Sequence, residues 1–360
     1  MVASGLIKIY LKSKGGKCMK RSVFYGVNDI RIENAARPSV KKNEILVEVK
    51  ACGVCGTDVH IYHGERGSAE VTPPIVLGHE FSGIVVEIGE EVNNFKVGDK
   101  VTVDPNIYCG RCAYCRNGKK QLCESLHAIG VNQDGGFQEY CVVPQTQAFL
   151  LEEFVSFEEG AMAEPVACCL HGIERSEIKE GDTVCVIGGG AIGLIMVQLA
   201  KLKGASKVIL SEPVEMRRRI GLQVGADAVV DPASGNLKEQ IKKVIGEDHV
   251  DVVIECVGRL AATRQAFEIA GKGAGILLFS VPETGAEFPL PLFDIYQKEL
   301  KISGSFINPD THLRAVKLIN SRKLQIAPII THKYCLEEVN GAIQMQMSND
   351  SIKVLIVPKN

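Results

Sequence analysis

The chain has 360 residues, of which 46% are hydrophobic and 23% charged, a balance that suits a globular protein of about two domains. Its formal net charge of −2 excludes a bulk electrostatic attraction to nucleic acid or to an anionic membrane. Thirteen cysteines, an odd count, fit reduced thiols and metal ligands in the cytoplasm better than a secreted disulfide framework, and no apolar run reaches the roughly 20 residues that span a bilayer.

Residues 1–18 carry Lys8, Lys12, Lys14 and Lys17 but neither the apolar core nor the cleavage site of a signal peptide. They read as an extension ahead of Met19, or as an upstream start. From Arg21 to Leu151 short strands are broken by Gly, Pro and Asp. Residues 44–51, 81–89 and 100–105 are strands, with a turn at Gly98–Asp99. This pattern predicts a β-rich, barrel-like domain. Helical spacing begins near Ser156. Strands at 183–189, 207–212, 228–231, 251–258 and 275–281 then alternate with helices at 191–204, 216–225, 237–246 and 265–273. Such alternation predicts an α/β domain with a doubly wound parallel sheet. A helix at 311–323 and a strand at 353–358 close the chain.

Gly188, Gly190 and Gly193 follow the G-x-G-x-x-G spacing, after a strand and before a helix. Gly188 permits the tight turn, Gly190 lets the backbone approach a pyrophosphate, and Gly193 lets helix and strand pack closely. The helix N-terminus offers amides and partial positive charge to phosphates. Glu212, at the end of the next strand, is placed to accept hydrogen bonds from ribose hydroxyls and to repel a 2′-phosphate. NAD is therefore favoured over NADP, although Arg217, Arg218 or Arg219 could hold such a phosphate. A glycine-rich turn without a nucleotide is the alternative.

Cys109, Cys112, Cys115 and Cys123 lie within fifteen residues. Four thiols at this spacing suit a closed, tetrahedral structural zinc, with an iron–sulfur cluster as the alternative. A second constellation is dispersed: Cys55, His79, Glu80 and Glu164. A catalytic zinc needs protein ligands and one exchangeable position. Cys55 and His79 supply two ligands, and either Glu80 or Glu164 could supply oxygen. His63, His127 and His171 read as structural, and Cys168, Cys169 and Cys185 as core thiols. Cys52 lies close enough to Cys55 to stay in view.

Together GVCGTDVH, LGHEFSGIVVEIG, VGDKV, the four-cysteine loop, GGGAIG and GADAVVD resemble, in order, the zinc-containing medium-chain dehydrogenase/reductase family. The resemblance covers the chain from about Met19 to its end. It implies a GroES-like catalytic domain (19–164 and 309–360), a Rossmann domain (165–308) and an active site in the cleft between them. It implies Cys55, His79 and a glutamate as catalytic zinc ligands; the sorbitol dehydrogenase branch places Glu80 beside His79 and Glu164 on the metal or its water. Asp58 corresponds to the carboxylate that orients the zinc-bound imidazole. Thr57 and His60 match the proton relay. Ile192, Glu212, Arg217, Val257 and Phe306 match coenzyme contacts. Ile61 and Phe306-Ile307-Asn308 depart from animal sorbitol dehydrogenases, which have Tyr and Phe-Arg-Tyr there.

The implied reaction is reversible hydride transfer between an alcohol or polyol and NAD(H), with two zinc ions per chain. Threonine, butanediol, other sugar alcohols and their phosphates are alternative substrates. Family members assemble as dimers or tetramers. The rivals are a zinc-independent quinone reductase of the same fold and a non-catalytic NAD-binding protein.

Overall fold

The structure is a computed structural model that describes residues 18–65, 70–283 and 285–358. Residues 1–17 of the expected extension lie outside the described residues. Two compact units divide the chain. The first runs to Glu164 and takes in His332–Ser348 and the residues from Val354. The second is Pro165–Thr331 with Asn349–Lys353. The return expected at residue 309 lies inside this second unit. Thr311 Oγ1 donates to the Ala167 carbonyl (2.7 Å), and the Gln325 amide donates to Gln198 Oε1 (2.7 Å), so residues beyond 309 are tied to helices of the second unit.

The first unit is built on a mostly antiparallel seven-stranded sheet. Its strands lie in the order Ile330–Cys335, Lys353–Val357, Glu44–Gly53, Glu80–Ile88, Lys100–Val103 and Ala148–Leu150, and Tyr140–Pro144 also pairs with Glu44–Gly53. Ile45, Val47 and Val49 alternate inward along Glu44–Gly53 and are fully buried with Phe81 and Phe137. β-Branched and aromatic side chains fill one face of such a sheet well. A hairpin, Cys18–Gly26 with Asp29–Ala36, packs Val23, Phe24 and Ile30 into the same core.

The second unit is a six-stranded parallel sheet in the order Ala228–Val230, Lys207–Ser211, Thr183–Ile187, Val250–Glu255, Ala270–Leu278 and Lys301–Gly304. Strand order reverses around Thr183–Ile187, so a crevice opens at the carboxyl end of that strand. The inner strands Thr183–Ile187, Lys207–Ser211 and Val250–Glu255 are mostly buried and apolar on both faces, as a sheet covered by helices requires. One helix differs from expectation. It spans Leu260–Ile269, and the chain turns to strand at Ala270. Gly271 and Gly273, the latter at φ +76°, stop the helix short of residue 273. The short edge strand Lys301–Gly304 was not foreseen.

Candidate active site

Strand pairing assembles the dispersed constellation. Gly53 lies opposite Glu80 in the antiparallel register. Cys55 leaves the end of one strand as His79 enters the other. A glycine before His79 is required: Gly78 has φ +92°, and a Cβ there would sit 2.6 Å from the Phe137 ring and 2.8 Å from Cys52 Sγ. Cys52 is thus buried packing. Ligand atoms of Cys55, His79 and Glu80 all lie within 4.8 Å of one another. Glu164 is buried in the first turn of the helix Ala163–Arg175 and stands outside that group.

Cys55 caps the helix Gly56–Tyr62, and its amide donates to Asp58 Oδ2 (2.8 Å). The other oxygen, Asp58 Oδ1, faces His79 Nδ1 at 3.6 Å. Asp58 is fully buried, and an unpaired carboxylate there would be strongly destabilising. Burial opposes a charge on His79, but Asp58 and Cys55 outweigh it and hold the imidazole well above its ordinary pKa. The pocket is therefore negative and set for a cation. A thiol, an imidazole and a carboxylate form a donor set that fits zinc. Thr57 and His60 lie half-buried on the same helix, and His60 Nδ1 pairs with Glu65 Oε2. Glu65 carried no signal in the sequence.

The four-cysteine loop closes on itself. Amides of Cys109, Cys112, Cys115 and Ser125 point at the sulfurs of Cys123, Cys109, Cys112 and Cys123, at 3.3–3.5 Å. All four ligand atoms lie within 4.8 Å of one another. Amides of Arg111 and Cys112 pull Cys109 down to about 6, while burial and the neighbouring thiol push Cys115 up to about 12. Backbone N–H groups point at three of the four sulfurs, and the four fit a tetrahedral ion with no open position.

In the second unit, the helix Ala191–Lys203 begins at Gly190 with no side-chain cap, and a Cβ at Gly190 would meet nothing within 4 Å. Amides and open space suit a pyrophosphate. Gly193 packs so tightly that a Cβ would fall 1.8 Å from the Gly188 carbonyl oxygen. Glu212 is buried and accepts from the amides of Gly189 (2.6 Å) and Val214 (2.8 Å). Arg217 donates to the Ser351 carbonyl, and Arg218 to the carbonyls of Glu212 and Pro213. Ile192 is half-buried, and Val257 and Phe306 are exposed. Cys169 and Cys185 are core thiols, Cys168 is half-buried, and burial pushes Cys185 up to about 12. His63 packs edge-on against Tyr62, His127 is exposed, and burial lowers the pKa of His171.

Residues 41–153 match the model of the alcohol dehydrogenase GroES-like domain, and residues 191–321 match that of the zinc-binding dehydrogenases. A sorbitol dehydrogenase of Halalkalibacterium halodurans is 35% identical over 93% of this chain and 97% of its own. An L-threonine 3-dehydrogenase of Caldanaerobacter subterraneus is 33% identical over 89% and 93%. The chain belongs to the zinc-containing medium-chain dehydrogenase/reductase family. A structure described as a zinc-binding dehydrogenase from Sinorhizobium meliloti, bound to NADP, shares 42% identity with a TM-score of 0.91, covering 95% of this chain and all of that one. As a member of this family, the protein is an alcohol or polyol oxidoreductase that uses zinc and a nicotinamide coenzyme. Among the described residues, no helix is long and apolar enough to cross a membrane.

Proposed function

We propose that the protein oxidises a secondary alcohol or polyol, and reduces the matching ketone, at a zinc held by Cys55, His79 and Glu80, with NAD(H) as coenzyme. The convergence of those three donors on two paired strands carries the reading. Zinc bound there supplies a Lewis acid that lowers the pKa of an alcohol hydroxyl. Asp58 orients the His79 ring through Nδ1, and the Cys55 amide holds Asp58 in turn. The Thr57 hydroxyl would accept the alcohol proton as it releases its own, and His60 would take up the released proton and pass it to solvent. Glu164 would hold a water beside a metal bound there. Gly188, Gly190 and Gly193 let the dinucleotide approach, with Ile192, Arg217, Val257 and Phe306 around it. Cys109, Cys112, Cys115 and Cys123 hold the structural zinc.

Glu212 favours NAD. A unit negative charge about 5 Å from a carboxylate costs about 3 kcal/mol at an effective dielectric of about 20, more than a hundredfold in affinity. Of the three cations that could offset it, Arg217 and Arg218 donate to backbone carbonyls, which leaves the exposed Arg219. The NADP in the Sinorhizobium meliloti structure keeps the phosphorylated coenzyme as the second reading. Ile61 and Phe306-Ile307-Asn308, in place of the polyol-contacting residues of animal sorbitol dehydrogenases, disfavour sorbitol among the secondary alcohols and polyols that are the proposed substrates. L-Threonine, butanediol and sugar-alcohol phosphates are the alternatives.

The test combines metal analysis with a substrate panel of secondary alcohols, pentitols, hexitols, their phosphates and threonine, each with NAD⁺ and NADP⁺. About two zinc per chain are expected, one closed and one open site. NADH absorbance should rise with at least one alcohol, and NADP⁺ should serve at least about tenfold less well. Turnover of a quinone by metal-stripped protein would overturn the reading.

The same reading makes the protein a cytoplasmic homodimer or homotetramer. None of the thirteen cysteines is paired in a disulfide, which fits a reducing compartment. Leu292, Phe293 and Tyr296 are 72%, 69% and 81% exposed, just before the edge strand Lys301–Gly304. A bare sheet edge beside large apolar side chains is a self-association surface. Light scattering should give two or four times the 39.0 kDa chain mass. A monomer at micromolar concentration would refute this.

A further inference from the structure

One buried carboxylate beside the glycine turn has no part in the chemistry above. Glu255 ends the strand Val250–Glu255, which flanks Thr183–Ile187 on the side opposite Lys207–Ser211. It is 2% exposed. Its Oε1 accepts from the amides of Val257 (2.6 Å) and Gly258 (2.9 Å), and its Oε2 accepts from the Ser280 hydroxyl. Backbone bonds complete the junction: the Cys256 amide donates to the Ile187 carbonyl (2.9 Å), and the Phe279 amide to the Glu255 carbonyl (3.0 Å).

The loop held in this way leans directly on the glycine turn. A Cβ at Gly188 would lie 2.7 Å from Val257 Cγ2. A Cβ at Gly258 would lie 2.8 Å from the Val281 carbonyl oxygen, so the loop has no slack on its other side. Packing alone would favour an apolar side chain here. A buried carboxylate persists only where its hydrogen bonds are made, and this one collects three donors from two loops. Glu212 does the same on the other flank, with the amides of Gly189 and Val214. The turn thus sits between two carboxylates that each grip the backbone of a coenzyme-facing loop.

We propose that Glu255 is a positioning residue for the coenzyme, fixing Val257, Gly258 and Ser280 as the wall beside the glycine turn and thereby setting coenzyme affinity. The proposal rests on the reading of that turn as the NAD(H) site. Glu255 belongs to the second unit and bonds Val257, Gly258 and Ser280, whereas the metal-ligating residues belong to the first, so its loss is expected to act on coenzyme.

The experiment titrates Glu255→Ala, Glu255→Gln and Ser280→Ala with NADH. The emission of NADH itself, excited where protein side chains do not absorb, reports binding. Glu255→Ala leaves buried donors unmet and should raise the NADH Kd at least about tenfold. Ser280→Ala, which keeps both amide bonds, should raise it about threefold. Zinc content and the alcohol KM at saturating coenzyme should stay at wild-type values. A role in folding alone would lower Tm and the active fraction while leaving the Kd of the folded protein unchanged, and that result overturns the proposal. Should Glu255→Ala fail to fold, Glu255→Gln preserves size and one acceptor oxygen and should show the same change in smaller degree. Wild-type protein that binds neither NADH nor NADPH would sink the reading of the turn and the proposal together. Wild-type protein that binds NADH, with folded variants of equal Kd, would sink the proposal alone.

Discussion

Replacing Cys55 by serine is expected to remove one of two zinc ions per chain and to lower kcat/KM for the alcohol at least about a thousandfold, a loss of about 4 kcal/mol in transition-state stabilisation. The thiolate is the one soft, anionic donor of the three. A serine hydroxyl does not ionise near neutrality, so two donors remain, and zinc held by an imidazole and a carboxylate exchanges readily with solvent. The fold should survive. Asp58 still receives the residue-55 amide through its Oδ2 and still faces His79 Nδ1, so this buried pair is kept. Tm should therefore move by only about 2 °C, and NADH binding by the second unit should not change. Zinc per chain, thermal melting and single-turnover rates measured on one preparation decide the matter. Full turnover by the variant after chelation would show that this cluster is not the catalytic centre.

The parts of this molecule that were legible in sequence are the local ones. The four-cysteine loop spans fifteen residues, and its amide-to-sulfur pattern follows from that spacing. The glycine turn announces itself because strand, turn and helix are consecutive. Buried parallel strands such as Thr183–Ile187 are continuous apolar runs. The dispersed cluster was different in kind. That Cys55 and His79 meet depends on the register of Gly53 against Glu80, and register is settled by a whole sheet packing its alternate side chains inward. Family resemblance supplied this pairing, and spacing could not have. Choosing Glu80 over Glu164 as the near carboxylate likewise needed coordinates. Glu255 was missed because VVIECVG reads as one apolar strand, yet an acid closing a buried strand was the same signal that singled out Glu212. The helix Leu292–Lys298 was missed because Leu292, Phe293 and Tyr296 are exposed and only Ile295 packs against the core, which an amphipathic pattern does not describe.

Cys115→Ala should produce the opposite separation of effects: one zinc lost and Tm lowered by at least about 5 °C, with NADH binding and most turnover retained. Cys115 is buried in the short helix Ala113–Arg116, and its amide is directed at Cys112 Sγ. Apart from such amide contacts and a few turns, the loop has little of its own to hold it, so the ion supplies much of its folding free energy. Acid should act in the same direction. Zinc binds thiolates, and protons compete for them. The Cys109 thiol, drawn down to about 6 by the loop amides, ionises readily. Cys115, pushed up to about 12, gives up its proton only because the metal takes its place. Lowering pH therefore releases this zinc and removes the stability it lends, while raising pH toward neutrality restores both. Melting curves with and without added zinc between mildly acidic and neutral pH measure this. An unchanged zinc count in Cys115→Ala, or bound iron with labile sulfide, would refute a zinc assignment for the loop. Taken with Cys55→Ser, the pair separates the roles of the two ions. One variant keeps its melting temperature and loses chemistry, and the other keeps chemistry and loses its melting temperature. That outcome is expected only if the two clusters are independent, as their placement on separate strands and loops of the first unit requires.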